Sequence, residues 1–197
     1  MDNGIKLRLL SHRILYKIHN STKNIDIIFN EEKKDKLSFR DISFIYNVCL
    51  STMRYYFYTK IILSRYTKKR TKLNAEILLL TAITQIIFLN FKEYAVVNST
   101  VEIGKKLKIY PGFINASLRK ILLDKKQLEK TKIKFDNFPL WFKKETHYFS
   151  YKEKEKFIKN ICEEPSLHLV FKNKEYKKKF KEHIFSTSDC SGFLINK

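Results

Sequence analysis

The apolar segment 73–91, LNAEILLLTAITQIIFLNF, constrains the fold more than any other part of the chain. Between Glu76 and Lys92 it holds 15 consecutive residues without a charge. A helix that crosses a bilayer needs about 18 to 20 apolar residues. The segment therefore predicts a helix buried inside a soluble bundle, which the rest of the chain must cover with amphipathic helices.

The sequence on both sides of this segment has the periodicity that such a bundle needs. Apolar residues recur every three or four positions, and Ser38 with Asp41 has the pattern of a capping box at a helix start. Pro111 suits the first turn of a further helix, because that position needs no N–H donor. The additional helices that we predict cover residues 5–18, 24–36, 38–66, 94–108 and 111–129.

The helical pattern stops near residue 130, where we expect a domain boundary. Residues 130–138 lack a helical period, and Pro139 follows them. Further along, a helix begins at Ser150, an alternating run over 167–171 predicts a strand, and a lysine-rich helix is predicted over 174–185. The expected organisation is a helical domain over 1–130, a linker over 131–149 and the incomplete start of a second domain over 150–197.

The composition supports a folded chain with a polyanionic partner. Hydrophobic residues make up 44%, with four glycines and three prolines, which excludes a disordered polyelectrolyte and a turn-dense β-sandwich. The net charge is +20, although 33 of the 40 basic residues are lysines and reflect a general lysine bias. Such a charge still favours nucleic acid, with acidic membrane surfaces and simple solubility as the alternatives.

Arginines are the most informative charges in a chain that is biased toward lysine, because they bind phosphates and carboxylates bidentately. On the first predicted helix, four basic residues lie largely outside the apolar side, either as phosphate contacts or as a solvated face. Arg40 and Arg54 either form buried ion pairs or contact RNA, and both interpretations stay open. The candidate RNA-binding residues are Lys6, Arg8, Arg13, Lys17, Arg40, Arg54 and Arg119.

Two asparagines of the predicted helices, Asn98 and Asn115, are expected to cap helices or to bond between them rather than to bind a ligand. Cys49 lies within an apolar helix and is expected in the core. The histidines and cysteines lack the paired spacing of a structural metal site, so we expect no metal.

Several segments carry motifs in a recognisable order. Residues 112–119, GFINASLR, are similar to the pattern G-F-[VI]-N-A-x-L-R, and residues 95–102, AVVNSTVE, are similar to A-A-V-N-E-x-V-E. Further matches are Arg40-Asp41 before Phe44, Thr52-Met53-Arg54, Gln85 and Pro139-Leu140-Trp141. Together they resemble the NusB-like helical domain of the Sun/RsmB family of bacterial rRNA cytosine-C5 methyltransferases, with Ser51, Leu80 and Ala82 as departures from its pattern.

The resemblance implies an all-α, NusB-like helical bundle followed by a short α+β start of a second domain. It also implies an RNA-binding module that targets a 16S-type small-subunit rRNA cytosine-C5 methyltransferase. The related antitermination factor binds RNA through a basic N-terminal helix, so the resemblance implies phosphate contact at the first helix of this chain as well. Full-length relatives use S-adenosylmethionine, but this chain lacks a glycine-rich strand–turn–helix and an Asp-x-Pro-Cys motif. We therefore expect no catalytic residue and no cofactor in this chain, with a separate methyltransferase domain as the missing partner.

Asp189-Cys190-Ser191-Gly192 looks like a shortened form of the nucleophile loop of these enzymes. A nucleophilic cysteine needs a lowered pKa and a bound methyl donor, and no cofactor fold precedes this one. We interpret the loop as a surface turn.

Two other classes of protein remain open at this point. One is a free-standing NusB-like transcription antitermination adaptor that binds RNA and a ribosomal protein, and residues 139–197 argue against it. The other is a membrane-surface or helix-scaffold protein. Three widely spaced cysteines and the absence of a signal-peptide pattern predict a cytoplasmic location. We expect no membrane partner.

Overall fold

A computed structural model of the chain describes residues 2–33, 36–67, 71–130, 134–163, 167–188 and 191–194. The chain divides into two compact units, residues 1–148 and 149–197. In the first unit the α-helices are α1 (Asn3–His19), α2 (Ile25–Glu32), α3 (Phe39–Arg54), α4 (Tyr56–Tyr66), α5 (Leu73–Ile87), α6 (Glu93–Lys106), α7 (Pro111–Leu123), α8 (Lys125–Leu128) and α9 (Leu140–Glu145), with a 3-10 turn at Phe135–Asn137. The expected helical bundle is confirmed.

Helix α5 is the centre of the bundle, as its apolar sequence predicts. Every residue from Ile77 to Ile87 is buried, and the helix packs against α1, α3, α4, α6 and α7. A second apolar cluster lies between α1, α2 and α3, around Ile14, Ile28 and Ile45. Among the helices that the structure describes, none combines the length and the hydropathy that a membrane span requires.

Local capping explains where several of these helices begin. Ser38 and Asp41 form the predicted capping box at α3, in which the Ser38 hydroxyl accepts from the Asp41 N–H and the Asp41 carboxylate accepts from the Ser38 N–H. Pro111 occupies the first position of α7, as predicted.

The helix predicted over 38–66 is interrupted at Tyr55, where the backbone leaves helical geometry at φ −96° and ψ 15°. The Tyr55 ring stacks on Phe88, with centroids 3.7 Å apart and an interplanar angle of 4°. This long-range contact coincides with the break between α3 and α4. The helix predicted over 111–129 is likewise divided, because the backbone turns at Asp124.

Residues 134–148, which we expected to belong to a linker, carry ordered elements that pack on the bundle. Phe138 is buried, and its ring lies 4.9 Å from that of Phe57 in α4. Its neighbours Phe135 and Phe142 complete an aromatic cluster. Trp141 lies mostly exposed beside this cluster.

The second unit contains α10 (Tyr151–Cys162), β1 (His168–Val170), α11 (Lys174–Lys178), β2 (Ile184–Ser188) and β3 (Ser191–Leu194). The strands form an antiparallel sheet of order β1-β3-β2, with His168 opposite Phe193. The α+β character is as predicted. The lysine-rich helix is shorter than predicted, however, because the chain from Ile184 pairs as a strand with β3.

Candidate nucleic-acid interface

Arg8, one of the basic residues predicted on α1, is directed into the bundle. Its Nε donates a hydrogen bond of 2.6 Å to Gln85 Oε1 on α5, and its Nη1 donates to the Gly4 carbonyl over 3.2 Å. The guanidinium lies 5.3 Å from the Phe44 centroid and 6.0 Å from that of Phe91. Burial lowers the pKa of Arg8 below its ordinary value. Two of the nitrogen donors of Arg8 are therefore already used within the protein, which leaves fewer of them to bind a phosphate.

Lys17, at the other end of α1, is exposed but has acidic partners on α2. Its Nζ lies 2.8 Å from Glu32 and 3.8 Å from Glu31. The hydrogen bond to Glu32 raises the pKa of Lys17. Because the two carboxylates offset its charge, Lys17 attracts a phosphate less strongly than an uncompensated lysine would.

Lys6 and Arg13 are the members of the α1 set that are exposed and form no ion pair with a described carboxylate. Both line a groove between α1, the segment before α3 and the end of α6, together with Lys36 and Lys106. We call this surface the basic groove, after the four basic residues that line it. Sequence reasoning missed Lys36 and Lys106, because only the packing of α1 against α6 and the chain leading into α3 brings them beside α1.

Two carboxylates also line the basic groove, and both are committed to other partners. Glu32 forms the ion pair with Lys17. Asp41 accepts from Ser38 in the capping box and from Asn3 Nδ2 over 3.2 Å, and the Ser38 hydrogen bond lowers its pKa. Among the carboxylates that the structure describes, none forms an ion pair with Lys6, Arg13 or Lys36. The groove is therefore a positive surface, which favours a polyanion.

Arg40 and Arg54 do not form the buried ion pairs that were one of their two interpretations. Arg40 is exposed in the first turn of α3. Arg54, the last residue of α3, is half-buried. Neither has an ion pair with the carboxylates in the described part of the chain. Asp41, which follows Arg40, is held by its capping interactions with Ser38, and the charge of Arg40 contributes to lowering the pKa of the Asp41 carboxyl without a direct ion pair.

Arg119 lies apart from α1, in a second groove between α6 and α7. Tyr94, Asn98, Asn115 and Arg119 line it, over an apolar floor that includes Val97. The prediction that Asn98 and Asn115 cap helices or bond between them is wrong, because neither side chain forms a hydrogen bond within the described residues. Both lie beyond the first turn of their helices, where no free N–H groups remain.

The potential metal ligands and the cysteines were the remaining candidates for chemistry in the described part of the chain. The residues that the structure describes contain no group of three or more potential metal ligands. Cys49 is fully buried, as predicted, and burial raises the pKa of its thiol to about 12. Asp189 and Cys190, the apparent nucleophile loop, lie outside the described residues.

The described strands of the second unit are not arranged as in a doubly wound nucleotide-binding fold. They are all antiparallel, whereas nucleotide-type cofactors bind at the carboxyl ends of parallel strands beside a glycine-rich turn. Gly192 is the one glycine of this unit. It lies within β3, where it faces the neighbouring strand β2.

Comparison with known proteins identifies one matching protein family. The model of the NusB family matches residues 5–123, which is more than half of the chain and covers α1 to α7. Both grooves are built largely from residues within this range. No curated protein matches the chain.

Proposed function

Because this chain belongs to the NusB family, we propose that its helical unit binds RNA as the targeting module of a small-subunit rRNA cytosine-C5 methyltransferase. The family indicates RNA binding. The observation that carries the proposal is the basic groove, where Lys6, Arg13 and Lys36 have no ion pair with a described carboxylate while Glu32 and Asp41 are held by other partners.

The basic groove suits the phosphate backbone rather than base edges. Lys6, Arg13 and Lys36 provide extended, mobile cations, and a lysine ammonium binds phosphate as a point charge without regard to sequence. Each phosphate that the groove neutralises releases condensed counterions, which drives binding at low salt. Contacts of this kind hold an RNA and set its register without specifying its sequence.

The methyltransferase part of the proposal rests on two segments that come after the matched domain. Pro139, Leu140 and Trp141 resemble the P-x-W motif that joins the helical domain to the methyltransferase half in the Sun/RsmB family. In this chain they lie beside the aromatic cluster around Phe138, which packs this part of the chain against the bundle. A further unit, residues 149–197, comes after this junction. A free-standing antitermination adaptor needs neither segment, so we favour the targeting module.

In a two-part enzyme of this kind, the helical module holds rRNA while a separate domain flips the target cytosine out of the helix and methylates it. S-adenosylmethionine supplies the methyl group in that separate domain. The residues of the helical unit bind and orient the RNA, and the methyl-transfer step belongs to the other domain. The chain alone is therefore expected to bind RNA without methylating it.

Ultraviolet cross-linking of the tagged chain in its own cells, followed by sequencing of the bound RNA, tests this proposal. We expect small-subunit rRNA to be enriched over messenger RNA. Enrichment of transcript leaders together with a ribosomal protein would instead identify an antitermination adaptor. The coding sequence downstream of Lys197 provides a second test, since the proposal expects a continuing frame or a neighbouring gene with a glycine-rich loop and an Asp-x-Pro-Cys motif.

A further inference from the structure

We propose that the groove between α6 and α7 binds one unstacked RNA base together with its phosphate. This inference rests on the proposed RNA-binding function and adds a second, chemically different subsite to it. The α6–α7 groove comprises Tyr94, Val97, Asn98, Asn115 and Arg119.

Two unused amides give the α6–α7 groove its capacity to recognise a base. Asn98 on α6 is exposed, and Asn115 on α7 is half-buried. Neither side chain has a hydrogen-bond partner within the described residues. Each amide offers two donor hydrogens and an acceptor oxygen, the set that pairs with the edge of a nucleobase.

An aromatic ring lies one helical turn from the first of these amides. Tyr94 precedes Asn98 by four residues on α6, so the two side chains share a face of the helix. Tyr94 is 83% exposed, which leaves most of its ring surface uncovered by the protein. Unpaired bases stack on such rings, and every base has a face that can do so.

Arg119 on α7 is the basic residue of the α6–α7 groove. Arg119 follows Asn115 by four residues on α7 and forms no ion pair with a described carboxylate. Glu93, which lines the groove as well, is instead paired with Lys125 over 2.9 Å. Arg119 is therefore available to bind a phosphate oxygen pair bidentately.

The two helices that form the walls of the groove are closely packed. A Cβ atom placed on Gly104 of α6 would lie 2.0 Å from Ile114 Cδ1 of α7, so the glycine allows this close approach. Ile103, Ile114 and Leu118 of the same two helices are almost fully buried in the core of the bundle. Walls that are fixed in this way hold the amides and the cation in place before a ligand binds.

RNA binding at the α6–α7 groove, the proposed base site, should depend on salt and on RNA structure differently from RNA binding at the basic groove. Stacking and amide contacts release few counterions, so their loss lowers affinity while the dependence on salt changes little. A base that is paired in a duplex is not available to the groove. The stacking and amide contacts of the α6–α7 groove should therefore contribute to binding of single-stranded RNA only.

Three variants test the proposal: Tyr94→Leu, Tyr94→Phe, and the double change Asn98→Ala with Asn115→Ala. The probes are a short single-stranded RNA of mixed sequence and the same strand in a duplex. We expect Tyr94→Leu to lower affinity for the single strand about tenfold, since one stacking contact is lost. Tyr94→Phe should retain nearly full affinity, and the double variant should lose affinity without a change in salt slope.

Tyr151→Leu, at an exposed tyrosine of the second unit, is the matched control and should bind both probes normally. Normal binding of the single strand by Tyr94→Leu and by the double variant would overturn the base site, and would leave a protein partner as the occupant of the groove. If a basic-groove variant still loses affinity in the same assay, the proposed function survives that result. Failure of the unaltered chain to bind either probe would overturn both.

Discussion

Arg8 Nε donates a hydrogen bond of 2.6 Å to Gln85 Oε1, which joins the first helix of the bundle to its central helix. Gln85 is buried, and its Nε2 donates to the Thr81 carbonyl, so both ends of the amide are used. The guanidinium also lies against the rings of Phe44 and Phe91. A basic residue of the N-terminal helix thus stabilises the fold that presents its neighbours Lys6 and Arg13 to solvent.

Arg8→Lys should destabilise the protein while it preserves the charge. A lysine ammonium cannot reproduce the planar contact with two rings or the geometry of the Nε donor. The expected loss is about 1–2 kcal/mol in the free energy of unfolding, measured by urea denaturation. Arg13→Lys, at an exposed position on the same helix, is the control and should unfold normally. Normal stability of Arg8→Lys would contradict this structural role of the guanidinium.

Gly104→Ala should be destabilising even though alanine is the better helix former. The added Cβ would overlap Ile114 Cδ1, and overpacking of a core costs about 1–3 kcal/mol, against a gain of about 1 kcal/mol in helix propensity. Ile114→Val removes the overlapping methyl group. The double variant should therefore be more stable than the sum of the two single changes predicts, as thermal unfolding can measure. Strict additivity would contradict the close packing of α6 on α7.

His12 should make the protein less stable as the pH falls below about 6.5, its ordinary pKa when unfolded. The buried ring donates from Nε2 to the Asn74 carbonyl, and Nδ1 has no partner within the described residues. Burial lowers the pKa of His12 in the folded protein, so the unfolded chain takes up the proton first as the pH falls. The contribution of neutral His12 to the free energy of unfolding is therefore fully present above about pH 6.5, and it is lost as the pH falls toward the lower pKa of the folded protein.

Urea unfolding at about pH 8 and about pH 5 measures this effect, with His12→Gln as the comparison. The free energy of unfolding should fall more between these pH values in the unaltered protein than in the variant. All other titrating groups are common to both proteins. An equal pH dependence would show that His12 is protonated as easily in the folded protein as in the unfolded chain.

Cys49 should be unreactive toward thiol reagents in the native protein. Its thiol is buried, and a pKa of about 12 leaves almost no thiolate at neutral pH. In a Cys162→Ser/Cys190→Ser variant, where Cys49 is the remaining cysteine, labelling should be slow in buffer and rapid in denaturant. Rapid labelling in buffer would mean that α1 and α3 separate frequently, since the Cys49 thiol lies against the Ser11 carbonyl of α1.

The central helix and the helix starts could be predicted from the sequence because they depend on local patterns. An uncharged run over 77–91 implies burial, and the Ser38 capping box lies within four residues. The break at Tyr55 could not be predicted in this way, since its ring partner Phe88 is distant in sequence. The same holds for the inward direction of Arg8, which depends on Gln85.

The candidate site was predictable only in part, for a similar reason. A helical period separates the apolar side of α1 from its polar side, but it does not show which polar residues meet a partner from another helix. Glu32 offsets the charge of Lys17, and Lys36 joins Lys6 and Arg13 only through tertiary packing. Helical spacing placed Asn98 and Asn115 on their helices, while their lack of partners became visible in the folded chain.

The salt dependence of RNA binding tests the central claim most directly. Lys6→Gln/Arg13→Gln/Lys36→Gln removes three charges of the basic groove, and Lys152→Gln/Lys156→Gln/Lys178→Gln removes three exposed charges of the second unit as a matched control. For single-stranded RNA, we expect the groove variant to lower the slope of log K against log salt by about 2, at about 0.7 for each phosphate contact. The control should keep nearly the original slope, and equal slopes for the two triple variants would contradict RNA binding at the basic groove.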